Sequence, residues 1–399
     1  MKGRKLVLVG GGHAHIEVMR RWPALCRAAG EKPCDALLIS PDRQAVYSGM
    51  IPGLLAGHYQ LSDCCVDLKA LSRHCQFEFV QDEVVGIDTA GSQSHLRLKS
   101  GGFQPYDLLS LDIGSTPSIP KNHSQHPLCP AKPALALWQN WQDFLNSMKT
   151  DSHYRIHVVG SGVAGVELIL AMQSRLQQAG FNSAQCHFCL IGKGVGQSTL
   201  LAGHNHRVQQ RALAVLQQRG IQLRSDVTVQ AFSDQHIVVD KGELLPSDLT
   251  VMCTTAKAAN WLPQTGLPLN ETGFIQVDAS LQVAGFENVF ACGDIAAMTP
   301  PLAKAGVYPV RQGPILAHNL FARYQSSGDG AASKSIPLQA YVPQTRFLSL
   351  IATGDKKAMA SRGWFYAFGR WVWYWKDHID RGFMRRYQSL YSTEDASPL

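Results

Sequence analysis

No stretch of this 399-residue chain approaches the roughly eighteen continuous apolar residues that a membrane-spanning helix needs, so no such helix is expected. An export signal is not expected either: Lys2, Arg4 and Lys5 precede only the short apolar run Leu6-Val7-Leu8-Val9 before glycine begins. Ten cysteines fall at irregular spacings in apolar surroundings such as Val251-Met252-Cys253, which excludes a disulfide framework and points to a reducing cytoplasm. Charge is sparse, at 17% of residues against 45% hydrophobic, so the chain is globular and long enough for two or three cores. The net charge of +7 is local: from Asp355 to Tyr387 there are eight Lys or Arg against three Asp. No nucleic-acid partner is expected from so confined a charge.

The chain does have glycine in two telling places. Leu6-Val7-Leu8-Val9-Gly10-Gly11-Gly12-His13-Ala14-His15 and Ile156-His157-Val158-Val159-Gly160-Ser161-Gly162-Val163-Ala164-Gly165 each join a short apolar strand to a helix-like stretch. A strand that runs into glycine lets the backbone turn tightly against a pyrophosphate, and the next helix offers that anion its unpaired amides. Gly10, Gly12, His13 and Ala14 are the candidate contacts of the first turn, and Gly160, Gly162 and Gly165 those of the second. Two turns imply two dinucleotides, and two dinucleotides in one chain suggest an electron path from a nicotinamide to a flavin.

The periodicity predicts a strand at Leu6–Val9, a helix over Ala14–Ala28 and a strand at Ala36–Ile39, and repeats this with strands at Ile156–Val159 and Cys186–Ile191 around a helix over Val163–Gln178. Short strands are expected at Phe77–Val80, Glu83–Ile87, His95–Leu98, Leu108–Leu111, Val227–Val229 and Ile237–Val239. The proline-rich Pro117–Pro133 reads as a domain crossing, Gln325–Ser333 as a soft linker and Ser392–Leu399 as a frayed end.

Tyr106-Asp107-Leu108-Leu109-Ser110-Leu111-Asp112-Ile113-Gly114-Ser115-Thr116-Pro117 has the form of a strand returning under the first site, and Asn288-Val289-Phe290-Ala291-Cys292-Gly293-Asp294 follows the second unit. In that order the chain resembles the pyridine nucleotide-disulfide oxidoreductase superfamily, which includes type II NADH dehydrogenases. Three further segments, Pro41–Gly53, Gly306–Pro314 and Lys376–Tyr387, resemble the flavoprotein that in some organisms is fused ahead of selenophosphate synthetase. The resemblance implies an α/β fold with two Rossmann-like domains, one for FAD and one for NADH or NADPH, plus a C-terminal module. The domains are expected at 1–118 and 263–324 for FAD, 151–262 for NAD(P)H, with a crossing at 119–150 and the linker and module at 325–399. It also implies that Asp294, after Gly293, holds the ribityl and pyrophosphate part of FAD, with Ser48, Gly114 and Ser115 as further contacts.

The departures from the pattern are informative. His15 stands where the third glycine of the first turn is usual, so the helix is expected to pack farther from its strand. Ser40, with Asp42 two residues on, replaces the acid that would hold the adenosine ribose. Gly192-Lys193 takes the equivalent place in the second unit, so a 2′-phosphate meets a cation and NADPH is as plausible as NADH. The superfamily's cysteine pair four residues apart is missing: Cys64-Cys65 is vicinal, and Cys186 and Cys189 would face opposite sides of a strand. The alanine-glutamine quinone motif of type II NADH dehydrogenases is not evident near Ala303-Lys304. His204-Asn205-His206 has no acidic or cysteine neighbour and reads as a polar loop, so no metal is expected.

Hydride transfer needs stacking and dryness more than acid or base, so few side chains are obligatory. Glu167 is expected in the first turn of the second helix, beside the nicotinamide–flavin contact or merely complementing the helix dipole. Lys304, Tyr308 and Arg311 flank the last helix of the FAD domain, where cations and amides would offset developing negative charge, or simply pack.

Trp364, Trp371, Trp373 and Trp375, half of the chain's eight, crowd the basic tail, with Phe368, Val372, Trp375, Ile379 and Phe383 expected on one helical face. Such a segment suits a membrane surface over Trp364–Tyr387, peripheral to the inner face, or else a homodimer interface or a lid. The sequence therefore predicts an FAD-dependent NAD(P)H oxidoreductase with a quinone or other small acceptor. Its rivals are a soluble reductase serving sulfur, selenium or a partner protein, and a nucleotide-sensing flavoprotein with little turnover.

Overall fold

The computed structural model describes residues 4–30, 35–89, 94–120, 126–193, 200–225, 227–326 and 336–391; the expected frayed end and most of the soft linker lie outside them. Along the chain run β1 (Lys5–Val9), α1 (His13–Ala28), β2 (Asp35–Ser40), β3 (Glu78–Gln81) and β4 (Leu108–Leu111). Next come β5 (Leu128–Pro130), α2 (Ala134–Ser147), β6 (Tyr154–Val159), α3 (Val163–Gln178), β7 (Cys186–Ile191), α4 (His206–Gln218), β8 (Gln222–Arg224) and β9 (Leu249–Met252). The chain then returns through β10 (Val289–Ala291) and α5 (Val307–Ser326) to β11 (Ser349–Ala352), β12 (Ala358–Arg362), β13 (Phe365–Gly369) and α6 (Arg370–Gln388).

Two five-stranded parallel sheets result, in the orders β10-β4-β1-β2-β3 and β5-β9-β6-β7-β8. Their central strands are apolar on both faces, as strands covered on both sides must be. In β7, Cys186, Phe188 and Leu190 join the main core, whereas Cys189 and Ile191 face a smaller one under the antiparallel strands Val229–Ser233 and His236–Val239. The first of those strands starts at Val229 rather than Val227, because the Thr228 amide is taken by Asp240 Oδ2.

The expected crossing is shorter than its prolines suggest. β5 pairs with β9 inside the second sheet and α2 packs behind it, while Thr116–Pro117 pairs with Ala256–Lys257 and Trp141 Nε1 of α2 donates to the Leu55 carbonyl of the first unit. α1 and α5 lie against each other where Gly313 leaves no space for a side chain beside Glu17 and Ala14.

The C-terminal module straddles both units. Its sheet β11-β12-β13 rests on α3, with Ala352 N donating to Glu167 Oε1 and Ser174 Oγ donating to the Gly354 carbonyl. α6 crosses to the first unit, where Tyr387 OH donates to Glu17 Oε2 and Lys376 Nζ to the Gly49 carbonyl. Phe368 belongs to a strand, not to the helix as expected, because Gly369 at φ +142° ends β13 and only then does α6 begin. The buried stripe of α6 is Val372, Trp373, Asp380, Met384 and Tyr387, with Lys376 nearly as enclosed. Trp371, Tyr374, Trp375 and Ile379 stay exposed.

Candidate functional site

The first glycine turn is wrapped around one carboxyl group. Asp112, 4% exposed at the end of β4, accepts the Ala14 amide at 3.0 Å and the His15 amide at 3.4 Å, so it caps α1, which has no capping side chain of its own. A Cβ on Gly12 would fall inside that carboxyl, one on Gly10 on the Asp112 carbonyl, and one on Gly293 within 2.6 Å of Oδ1. Gly10 and Gly293 also have left-handed backbone angles, φ +94° and +67°, so both positions require glycine twice over. Burial pushes Asp112 up to about 7, with the two amides holding it back. Sequence reasoning assigned Asp112 no role, since its partners lie about a hundred residues away.

His15 occupies the third-glycine position without conflict. Its buried ring donates from Nδ1 to the Gly10 carbonyl at 2.7 Å, which leaves Nε2 to accept from Ser110 Oγ at 2.8 Å. Burial lowers it to about 4, so it is neutral and bridges helix to sheet where a glycine would have allowed direct contact.

Asp294 sits across the turn, bonded by Ser115 Oγ at 3.0 Å and by Lys132 Nζ. Lys132, from the segment expected to be a crossing, was invisible to the sequence. Beside them His13 keeps Nδ1 sealed from solvent with no hydrogen-bond partner among the described residues, and burial lowers its pKa to about 4. Side chains excluded at Gly10 and Gly12, an orphaned ring nitrogen and an Asp–Lys–Ser cluster fit the FAD that the sequence predicted. Gly114, at φ +70°, has open space over it. Ser40 is buried at the end of β2, Asp42 is half-buried and raised by burial and Glu83, and Ser48 is exposed with its Oγ 3.4 Å from where a Cβ on Gly306 would stand.

Lys304, Tyr308 and Gln312 line a small hollow with Gly293 and Asp294. Lys304 Nζ donates to the Ala296 carbonyl at 2.8 Å over the Phe274 ring, and burial lowers its pKa. Arg311 is not brought into the hollow: one residue before Gln312 on α5, it projects to solvent.

Where the two units and the module meet, Phe383 stacks on Tyr47 at 4.4 Å and abuts His13 at 5.7 Å. Behind this stack Lys376 Nζ donates to Asp380 Oδ2 at 2.6 Å, and Asp380 in turn is hydrogen-bonded to Tyr47. Glu167 completes the cluster from α3. It lies in the second turn of that helix rather than the first, which begins at Val163, and its partner is the Ala352 amide at 2.7 Å, so it does more than complement a dipole. Burial pushes its carboxyl up to about 7, while the Lys376 charge and the Ala352 amide hold it back. Lys376 is raised despite its burial by Asp380 and Glu167.

A carboxyl that keeps its proton in the folded chain up to about pH 7, but loses it near 4.5 when unfolded, makes stability fall as pH rises through that window. The loss is complete above pH 7, at roughly 3–4 kcal/mol. Glu167→Gln retains an acceptor for Ala352 and removes the titration. Denaturant melts should show the variant matching the parent at pH 4.5 and exceeding it at pH 8; parallel curves would mean that Glu167 ionises as freely in the fold as outside it.

The second turn is built more conventionally. A Cβ on Gly165 would overlap the Gly160 carbonyl, and one on Gly160, at φ +123°, the Cys253 carbonyl, whereas Gly162 faces open space. That space, at the N-terminus of a 16-residue helix, leaves room for an anionic group beside the helix amides. Lys193 is exposed just past β7. Cys64, Cys65, Cys186 and Cys189 are buried free thiols, each raised by burial, which suits packing and not thiolate chemistry. Asn205, in the loop just before α4, caps that helix through the Val208 amide and ties it to the Gly363 and Phe365 carbonyls. Among the described residues no cluster of three or more His, Cys, Asp or Glu could hold a metal ion.

A family model described as pyridine nucleotide-disulphide oxidoreductase matches residues 4–318. An NADH dehydrogenase-like protein of Mycobacterium tuberculosis is 26% identical over 317 residues, covering 73% of each chain. The demethylphylloquinone reductase NdbB of Synechocystis is 23% identical over 297 residues, covering 73% of this chain and 71% of the relative. Among solved structures, NDH2 of Plasmodium falciparum in complex with NADH superposes with a TM-score of 0.76 at 12% identity, covering 97% of both chains.

Proposed function

Because the chain belongs to the pyridine nucleotide-disulphide oxidoreductase family, and is accordingly an FAD-dependent NAD(P)H oxidoreductase, we propose that its acceptor is a quinone reached from a membrane surface. One helix carries this reading. α6 turns Lys376, Asp380 and Phe383 toward Tyr47 and His13, and on its other side exposes Trp371, Tyr374, Trp375 and Ile379, with Trp371 and Trp375 stacked at 6.4 Å. A helix is only about 10 Å across with its side chains, so an apolar acceptor held at the outer face is one helix from the buried cluster. A demethylphylloquinone reductase among the relatives supports the same acceptor class.

FAD, held by Gly10, Gly12, His13, Ser115 and Asp294, supplies the acceptance of a hydride and its onward transfer as electrons. The residues of the chain position, exclude water and manage the proton. The donor enters along Gly160, Gly162 and Gly165, with Lys193 near its adenosine end. Quinone reduction consumes two electrons and two protons, and a hydride brings both electrons but one proton. Glu167, protonatable near pH 7 and next to Lys376, supplies the second. Lys304 and Tyr308 line the hollow beside Asp294, with Arg311 outside it. A soluble acceptor is the alternative, and lipid binding separates the two.

Several tryptophans entering an interface contribute about 1.5–3 kcal/mol each when buried, and each nearby Lys or Arg about 1 kcal/mol on an anionic surface. The intact chain should therefore co-sediment with anionic liposomes, less so at high salt. A variant with Trp371 and Trp375 changed to Ser, both exposed, should stay in the supernatant with its flavin. Trp373 is 7% exposed and belongs to the core, so it is left in place. Equal sedimentation of both proteins, or none by either, would remove the membrane route.

A further inference from the structure

A second cleft, of about 560 Å³, opens between the C-terminal ends of α3 and α4 and the β11–β12 turn, on the NAD(P)H unit's contact with the module. Its charged walls are Arg211, Arg219 and Lys357 against one carboxylate, Asp355. Arg219 Nη2 lies 2.9 Å and Lys357 Nζ 3.1 Å from Asp355 Oδ2, so a single carboxylate holds two cations side by side. Arg219 Nη1 is shut off from solvent with no hydrogen-bond partner among the described residues. Arg211 is fixed across the cleft by Tyr366 OH at 3.0 Å and lies over the Phe368 ring at 4.8 Å. Three cations held in position outnumber the single carboxylate, an excess that the partial negative ends of α3 and α4 only partly offset, and guanidinium groups suit the flat double acceptor of a phosphate.

We propose that this cleft binds a phosphate monoester of a small polar molecule, a ligand separate from both dinucleotides. The phosphate, doubly charged near neutrality, neutralises the Arg211–Arg219–Lys357 excess. The volume exceeds what a bare phosphate fills and lies within the range of small-molecule pockets. The hydroxyl-bearing remainder of the ligand meets Gln177 and Phe368, which also line the cleft. The turn that supplies Asp355 and Lys357 leads directly back to Ala352, whose amide holds Glu167, so occupancy of the cleft bears on the reactive cluster. That last consequence rests on the function proposed above; the binding itself does not.

Isothermal titration of the flavin-loaded full chain, saturated with NAD⁺ to fill the nucleotide turn, separates the two. Glucose 6-phosphate is expected to bind at one site, about tenfold or more tightly than inorganic phosphate, and glucose not at all. Arg211→Gln and Lys357→Gln, both at exposed or half-exposed positions, should each weaken it about tenfold, the usual worth of one charge-assisted hydrogen bond. Absence of binding, equal affinity for inorganic phosphate, or undiminished affinity in both variants would overturn the assignment, whatever the turnover of the enzyme.

Discussion

Gly162→Val should give a folded, yellow protein that neither NADH nor NADPH reduces at an appreciable rate. The backbone at Gly162 is extended, φ −75° and ψ −175°, so valine fits it without strain, and among the described residues no atom lies within 4 Å of the added Cβ. The side chain fills the space where the pyrophosphate must approach the amides of α3. Loss of that approach is worth at least about 3 kcal/mol, more than a hundredfold in donor affinity. Gly165→Ala is the contrasting substitution: its Cβ meets the Gly160 carbonyl, so the second unit itself should fail to assemble. Stopped-flow reduction and circular dichroism distinguish the two outcomes. Unchanged reduction of the valine variant would show that the donor does not use this turn.

Asp294→Ala should strip the flavin. Its carboxylate gathers Ser115 and Lys132 at the first turn, and removing it leaves the Lys132 ammonium without its anionic partner beside the cofactor's polar chain. Charged hydrogen bonds of this kind are worth about 1.5–3 kcal/mol, so FAD affinity should fall roughly tenfold to a hundredfold. Asp294→Asn, which keeps an acceptor for Ser115, should fall less. The ratio of flavin to protein absorbance after gel filtration measures both, and full occupancy of the alanine variant would place the cofactor elsewhere.

Both glycine turns, their strands and the Gly-Asp pair were legible because each is a local pattern whose geometry excludes side chains. The groups that complete the site were not. Asp112 acts on amides 98 and 97 positions away, and Lys132 on a carboxylate 162 positions on, separations at which periodicity is silent. The tail misled in a particular way. Its packed stripe includes Lys376 and Asp380, which a hydropathy reading assigns to solvent, while the exposed Trp371, Tyr374 and Trp375 look like a core. Polar groups inside and aromatics outside invert the usual signal, as the function proposed above requires of this helix.

The measurement that bears most directly on this account is anaerobic reduction of the flavin-loaded protein by NADH and by NADPH, followed by mixing with a water-soluble quinone or a soluble disulfide. The account predicts rapid reduction and rapid reoxidation by the quinone, slowed by Glu167→Gln most strongly below pH 7, where the parent carboxyl still carries its proton. Rapid reoxidation by the disulfide with none by the quinone would contradict it.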